Sequence, residues 1–141
     1  MPITLKRVGK QDQALFDHVA PDVFDGPIHK ERLARYVAIP QNLMVLALSD
    51  QQVIGQITGV EIHHPDEAPE LYIGNLGVTP AFQRQGIARR LMHALLAWGL
   101  ERGCAPAWVA TETNNGPAQA LYRSFARPQT MYVYDWNLQK K

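Results

Sequence analysis

Gln83-Arg84-Gln85-Gly86-Ile87-Ala88 brings small and basic residues together at the mouth of a long amphipathic run. From Leu76 to Gly103 the chain reads as a strand ending near Val78, a turn at Thr79-Pro80, a loop, and a helix opening at about Gly86. A loop of this kind is suited to holding an anion. The first N–H groups of a helix have no acceptor within it, and the helix dipole is positive there. Gly86 leaves room for a ligand to approach the backbone, and Ala88 keeps the next inward position small. Arg84, Arg89 and Arg90 add positive charge at the same point. The ligand expected is a phosphate or pyrophosphate. Taken alone, the same residues also describe a glycine-capped helix start with solvated arginines. The loop lacks the Gly-Lys-Ser/Thr ending of an ATP-binding P-loop.

Other residues could move protons. Tyr122 shares a helical face with Ala118, Leu121 and Phe125, so periodicity alone describes a core tyrosine as readily as an acid. Glu61, His63, Glu70 and Glu112 could serve as a base. His63-His64-Pro65-Asp66 makes a poor metal site, because adjacent histidines diverge on an extended chain and no second ligand cluster is evident. No metal is expected. Cys104 has no Cys or His motif around it and reads as a small buried residue.

These residues need a scaffold. Ile3, Leu5 and Val8 suggest a first strand, and Gln11 to Val19 reads as a helix with Ala14, Leu15 and Val19 on one side. Pro21 to Pro27 is loop, with Asp22 and Asp25 in it. His29 to Ile39 resumes helical spacing, with Leu33, Tyr36 and Val37 inward and Pro40 closing it. These helices and the acidic loop between them could form one wall of a substrate site. Leu43–Leu48 and Val53–Ile62 form a hairpin around Ser49-Asp50-Gln51-Gln52, with Gly55 and Gly59 as bulge or close-approach positions. Glu70 to Val78 is the next strand. The helix from Gly86 to Arg102 aligns Ile87, Leu91, Ala94, Leu95 and Trp98, and Gly103 caps it. Ala107 to Thr111 is a strand, Asn114-Asn115-Gly116-Pro117 starts a short helix, and Met131 to Trp136 supplies a last strand. The order predicts an α/β fold with a mixed sheet whose central strand feeds an anion-binding loop.

Composition sets outer limits. At 141 residues the chain is long enough for one domain spanning 1–141 without metal or disulfide staples. Fourteen basic against thirteen acidic residues leave a net charge of +1, which points to neither nucleic acid nor a membrane surface. The lone Cys104 fits a reducing compartment, and no apolar run approaches the roughly 20 residues a bilayer requires. With no signal-peptide pattern at the N-terminus, a cytoplasmic protein is expected.

Gln83 to Ala88 matches the Gln/Arg-x-x-Gly-x-Gly/Ala signature of the GNAT superfamily of N-acetyltransferases, behind a Leu76-x-Val78-x-Pro80 lead-in. Asn115-x-x-Ala118-x-x-Leu121-Tyr122 resembles the family's second landmark. The Glu70-Leu71-Tyr72-Ile73 strand also looks like small bacterial acetyltransferases, including aminoglycoside 3-N-acetyltransferases.

The resemblance implies a GNAT fold, with a mostly antiparallel sheet splayed between two parallel strands and flanked by helices. Acetyl-CoA would be the co-substrate, with its pyrophosphate on Gln83, Arg84, Gln85, Gly86, Ile87, Ala88 and Arg89. The pantetheine arm would lie along Leu76, Gly77 and Val78, with Asn115 on its other side. Tyr122 would protonate the leaving thiolate, and backbone N–H near Val78 would polarise the thioester carbonyl.

The sequence departs from the family at two places. Many relatives carry Glu or Asp where this chain has Asn75, and an amide cannot act as a base; Glu70 or Glu112 is preferred in its place. After Tyr122, Ala126 stands where relatives commonly have glycine.

The acceptor implied is a primary amine of a small molecule. Asp22, Asp25, Asp66, Glu67 and Glu70 would suit a cationic one such as an aminoglycoside, although ordinary solvated loops carry such acids too. A peptide amine stays open, as does a non-catalytic acyl-CoA-binding or sensing domain. Tyr132, Tyr134 and Trp136 would line a homodimer interface as readily as a core.

Overall fold

The computed structural model describes residues 2–139. The chain divides into two compact units, Met1–Ala110 and Thr111–Lys141.

The first unit is built on a five-stranded sheet in the order β1-β2-β3-β4-β5. Its strands are β1 (Thr4–Arg7), β2 (Asn42–Ser49), β3 (Gln52–Ile62), β4 (Glu70–Val78) and β5 (Ala107–Val109). Neighbours run antiparallel except β4 and β5, which are parallel. The β2–β3 hairpin closes through Asp50 and Gln51, whose φ values of 50° and 65° give the left-handed pair that matches strand twist.

The helix α2 (Ile87–Glu101) covers one face of β2, β3 and β4. Val45, Ile57, Leu91 and Leu95 are fully buried there, each worth about 1.5–3 kcal/mol of transfer free energy. A Cβ on Gly55 would meet Leu91, and one on Gly59 would meet Leu71 and Leu95, so both glycines let α2 lie close. The helix is turned slightly from the expected stripe. Met92 and Gly99 are buried, whereas Ala94 and Trp98 are half-buried. Gly99 makes the difference, since Leu71 fills the space a Cβ would take. Gly103, at φ 90°, ends α2: its N–H donates to Leu100 O, and Cys104 N–H donates to Gly99 O.

The segment expected as a helix over Gln11–Val19 is a 3-10 helix, Lys10–Asp17, that buries Phe16 and leaves Ala14 exposed. Val19 forms an isolated bridge to Val53. Gly9 N–H donates to the Asp12 carboxylate at 2.7 Å, fixing the start. The helix α1 (Lys30–Ala38) buries Leu33.

β4 carries an irregularity that governs the site. Thr58 pairs with Asn75 but Gly59 pairs with Ile73, so Gly74 is an extra residue. Before it, Leu71 faces α2; after it, Val78 does, packing beside Leu91 near Gly55. The insertion therefore puts Tyr72, Asn75 and Gly77 together on the face away from α2. The β4–β5 ladder spans only Leu71–Ile73 with Ala107–Val109, and β4 runs on to Val78 without that neighbour. The strand expected to reach Thr111 stops at Val109.

The second unit contains α3 (Gly116–Arg123), capped by Asn115, whose Oδ1 accepts the Ala118 N–H at 3.2 Å. The last strand expected, Met131–Trp136, is absent: these residues have no ladder partner among the described residues. Tyr132, Tyr134 and Trp136 are 87%, 80% and 75% exposed. Their alternation supplies a one-faced segment, but a strand exists only through its hydrogen-bonded neighbour.

Candidate active site

Thr79, buried and donating its N–H to Ile54 O, fixes the exit from β4. A single 3-10 turn, Pro80–Phe82, follows, and Gln83 reaches back to donate to Val78 O at 3.0 Å. Arg84 adopts φ 64° and Gly86 φ 77°, so the loop turns twice through left-handed backbone before α2 begins. Such a conformation costs an ordinary residue about 1–2 kcal/mol, and Gly86 adopts it freely. A Cβ on Gly86 would meet nothing within 4 Å, so the surface in front of it is open. Arg90 N–H is held by Gly86 O at 3.1 Å. Helix geometry leaves the N–H groups of Gly86, Ile87 and Ala88 without an acceptor inside α2. Arg84 and Arg89 stand exposed on either side. Positive helix end, open backbone and flanking guanidiniums together fit a phosphate group.

A second feature lies on β4, on the face away from α2. A Cβ on Gly77 would stand 2.3 Å from Val23 O, so the Asp22–Asp25 loop presses directly on the strand. Gln56, fully buried on β3, donates from Nε2 to Val23 O at 3.1 Å and to Asn75 Oδ1 at 2.6 Å. Asn75 Nδ2 in turn faces Asp25 Oδ2 at 3.5 Å. Gln56 Oε1 is buried with no partner among the described residues, an arrangement that costs about 1–3 kcal/mol. Behind this loop is a recess of about 370 Å³ lined by Phe16, Ala20, Asp22, Phe24 and Ile28.

Further along β4, Trp108 Nε1 donates to Glu70 Oε1 at 2.5 Å and His64 Nε2 lies 2.6 Å from Glu70 Oε2. These contacts, His64 foremost, hold the Glu70 carboxyl below its ordinary value. Tyr72 and Trp108 pack with ring centroids 4.6 Å apart. Glu61 is ion-paired with Arg102 and lies 3.0 Å from His63, which ties the end of β3 to the end of α2. Burial pushes the Cys104 thiol upward, which disfavours its thiolate. Among the described residues no three His, Cys, Asp or Glu side chains gather as a metal set, and no helix is long and apolar enough to cross a membrane.

The profile of the acetyltransferase (GNAT) family matches residues 13–126. The chain belongs to the GNAT acetyltransferase family. It is 30% identical over 125 residues to the N-alpha-acetyltransferase RimI of Mycobacterium tuberculosis, covering 87% of this chain and 77% of that protein. It is 26% identical over 93 residues to an aminoglycoside N(6')-acetyltransferase type 1 of Salmonella typhimurium. That match takes in 62% of this chain and spans 63% of the relative's length. Among solved structures, AAC(6')-Iy in complex with the bisubstrate analog CoA-S-monomethyl-acetylneamine superposes with a TM-score of 0.80. That likeness covers 99% of this chain and all of the other, at 18% identity, and establishes the GNAT fold. The aminoglycoside relative is named for the 6' nitrogen rather than the 3-N position that the β4 strand suggested.

Within this GNAT chain the expected site residues fall into separate groups. Leu76, Gly77, Val78 and Gln83 to Arg89 form one continuous corner from β4 to α2. Glu70 is at the far end of β4, next to β5. Glu112, Asn115 and Tyr122 belong to the second unit. There Glu112 O accepts the Asn115 N–H at 3.1 Å. Tyr122 is half-buried, and burial raises its pKa above the ordinary 10.0, so the phenol stays protonated at neutral pH. Nothing in the sequence pattern above singles out Gln56 or the approach of Val23 to Gly77. A glycine inside a strand was the available signal for the latter.

Proposed function

We propose that the chain is an N-acetyltransferase that moves acetyl from acetyl-CoA directly to a primary amine of a small, cationic molecule. The observation that carries this reading is the left-handed Gly86 with open space before it at the start of α2, in a chain of the GNAT family. The pyrophosphate would rest on Gln83 to Arg89, and the pantetheine would lie along Leu76 to Val78, where β4 has no parallel neighbour. Acetyl-CoA supplies an activated acyl group and a thiolate leaving group. Asn115 would contact the pantetheine arm, and Tyr122, kept protonated, would supply the proton to the thiolate. Glu112 remains a candidate base. Glu70 is a weaker one, because two donors already occupy its carboxylate. The family match runs through both compact units, which supports reading 1–141 as one acetyltransferase domain.

The likeness to enzymes named for aminoglycosides, and the exposed Asp22 and Asp25 beside β4, support a cationic acceptor. The RimI likeness, wider and at higher identity, favours a peptide α-amine as the second reading. Free-thiol release from acetyl-CoA, followed over a panel of neamine, spermidine and an alanyl dipeptide, separates the two. Turnover on neamine or spermidine is expected. Turnover confined to the dipeptide would replace the acceptor, and CoA binding without turnover would make the chain a binding domain.

A further inference from the structure

The position of Asn75 leaves the strand beside the proposed thioester without a base, yet an acceptor ammonium must lose a proton before its nitrogen can attack. The hydrogen bonds around Asn75 point to where the carboxylate has gone. Only the nitrogen of the Gln56 amide can donate to Val23 O, which fixes the orientation of that buried side chain. The Asn75 atom 2.6 Å from this nitrogen must then be its oxygen, and the Asn75 NH₂ must face Asp25, as observed. Three side chains thus run in line from the fully buried Gln56, through Asn75, to the exposed carboxylate of Asp25. Gln56 Oε1 has no partner among the described residues, so the amide is buried for what its nitrogen holds. Contact of Val23 with Gly77 clamps the same loop onto β4, beside Leu76 and Val78.

From this geometry we infer that Asp25 is the catalytic carboxylate of the acceptor side, with Asn75 and Gln56 as positioning residues. The inference rests on the acetyl-transfer reading above. Asp25 binds the acceptor ammonium and takes one of its protons, directly or through one water. The freed nitrogen pair attacks the thioester carbonyl carbon, a C–N bond forms, and the C–S bond breaks. The sulfur leaves with the electron pair and takes up a proton, the nitrogen gives up its second proton to balance it and becomes a neutral amide, and Asp25 returns the first proton to solvent. The class of acceptor this selects is a primary ammonium carried on a small or flexible molecule that can reach the β4 face.

The test uses the full chain, with calorimetry for CoA, calorimetry for neamine and spermidine, and kcat/KM for whichever amine turns over. Asp25→Asn is expected to lower kcat/KM by at least about 100-fold and to weaken amine binding, while CoA affinity and Tm stay at wild-type values. The double variant Asp25→Asn/Asn75→Asp keeps the hydrogen bonds and moves the charge to the other end of the Asn75–Asp25 contact. It should recover at least a tenth of the lost rate, whereas a merely structural role, which the amide oxygen introduced by Asp25→Asn still serves by accepting from Asn75, predicts no loss to recover. Turnover and amine affinity that survive Asp25→Asn overturn this inference alone. A wild-type protein that binds CoA and acetylates no amine overturns the acetyl-transfer reading and this inference with it.

Discussion

Val23 O stands 2.3 Å from the place a Cβ would occupy on Gly77. No side chain fits there, and the obstructing atom is backbone, so accommodation requires the Asp22–Asp25 loop to lift from β4. Gly77→Ala is expected to cost about 1–3 kcal/mol, the usual penalty of overpacking. Urea unfolding measures this, and the amine KM should rise while CoA affinity changes little. An unaltered amine KM would mean that the loop does not shape the acceptor side.

Gly86 meets a different constraint, conformation and access rather than contact. Gly86→Ala should lose about 1–2 kcal/mol through its left-handed backbone and weaken CoA by a few-fold. Gly86→Glu adds a negative charge in the open space before α2 and should abolish CoA binding in a protein that still unfolds cooperatively. Calorimetric titration with CoA decides, and retained affinity would place the pyrophosphate elsewhere.

For Tyr122, substitution by Phe removes the hydroxyl and keeps the ring on its half-buried face. A fall in kcat of about 100-fold or more is expected if the hydroxyl supplies the proton, with an unchanged KM for acetyl-CoA. Because burial raises this phenol above 10.0, the rate should show no alkaline loss from it below that pH.

Glu70 offers a prediction for stability rather than rate. Its folded pKa is depressed, so the stabilisation from its contacts with His64 and Trp108 is present above the ordinary value of 4.5 and lost as pH falls through the lower folded value. Glu70→Gln should therefore flatten the fall in Tm between pH 5 and the acid limit, seen by thermal scans at a series of pH values. Parallel Tm–pH curves for the two proteins would assign the acid loss to other groups.

What could be read in advance followed the reach of each signal. The turn and helix start at Gln83 to Ala88 were legible because local chemistry, glycine beside basic residues at a helix start, needs only neighbours in sequence. The Asn115 cap and the Gly103 helix end were legible for the same reason. The Gly74 insertion was not, because its effect depends on pairing with β3. The side chains of Gln56 and Asp25 are 31 residues apart in sequence and are joined only through Val23 and Asn75. Periodicity overreached at Met131–Trp136, where alternation is real and a pairing partner is missing among the described residues.

The single extra residue at Gly74 acts on β4 as a reading-frame shift acts on a message. Upstream of it, Leu71 answers to the core; downstream, the same parity addresses solvent and the Asp22–Asp25 loop. Pairing Gly74 regularly in the ladder, instead of bulging it out, would leave every letter of Asn75-Leu76-Gly77-Val78 intact and exchange the meaning of each, turning Leu76 and Val78 outward and Asn75 and Gly77 into the packing under α2. One glycine thus keeps the hydrophobic grammar of the strand and the chemistry of its far end from being written on the same face.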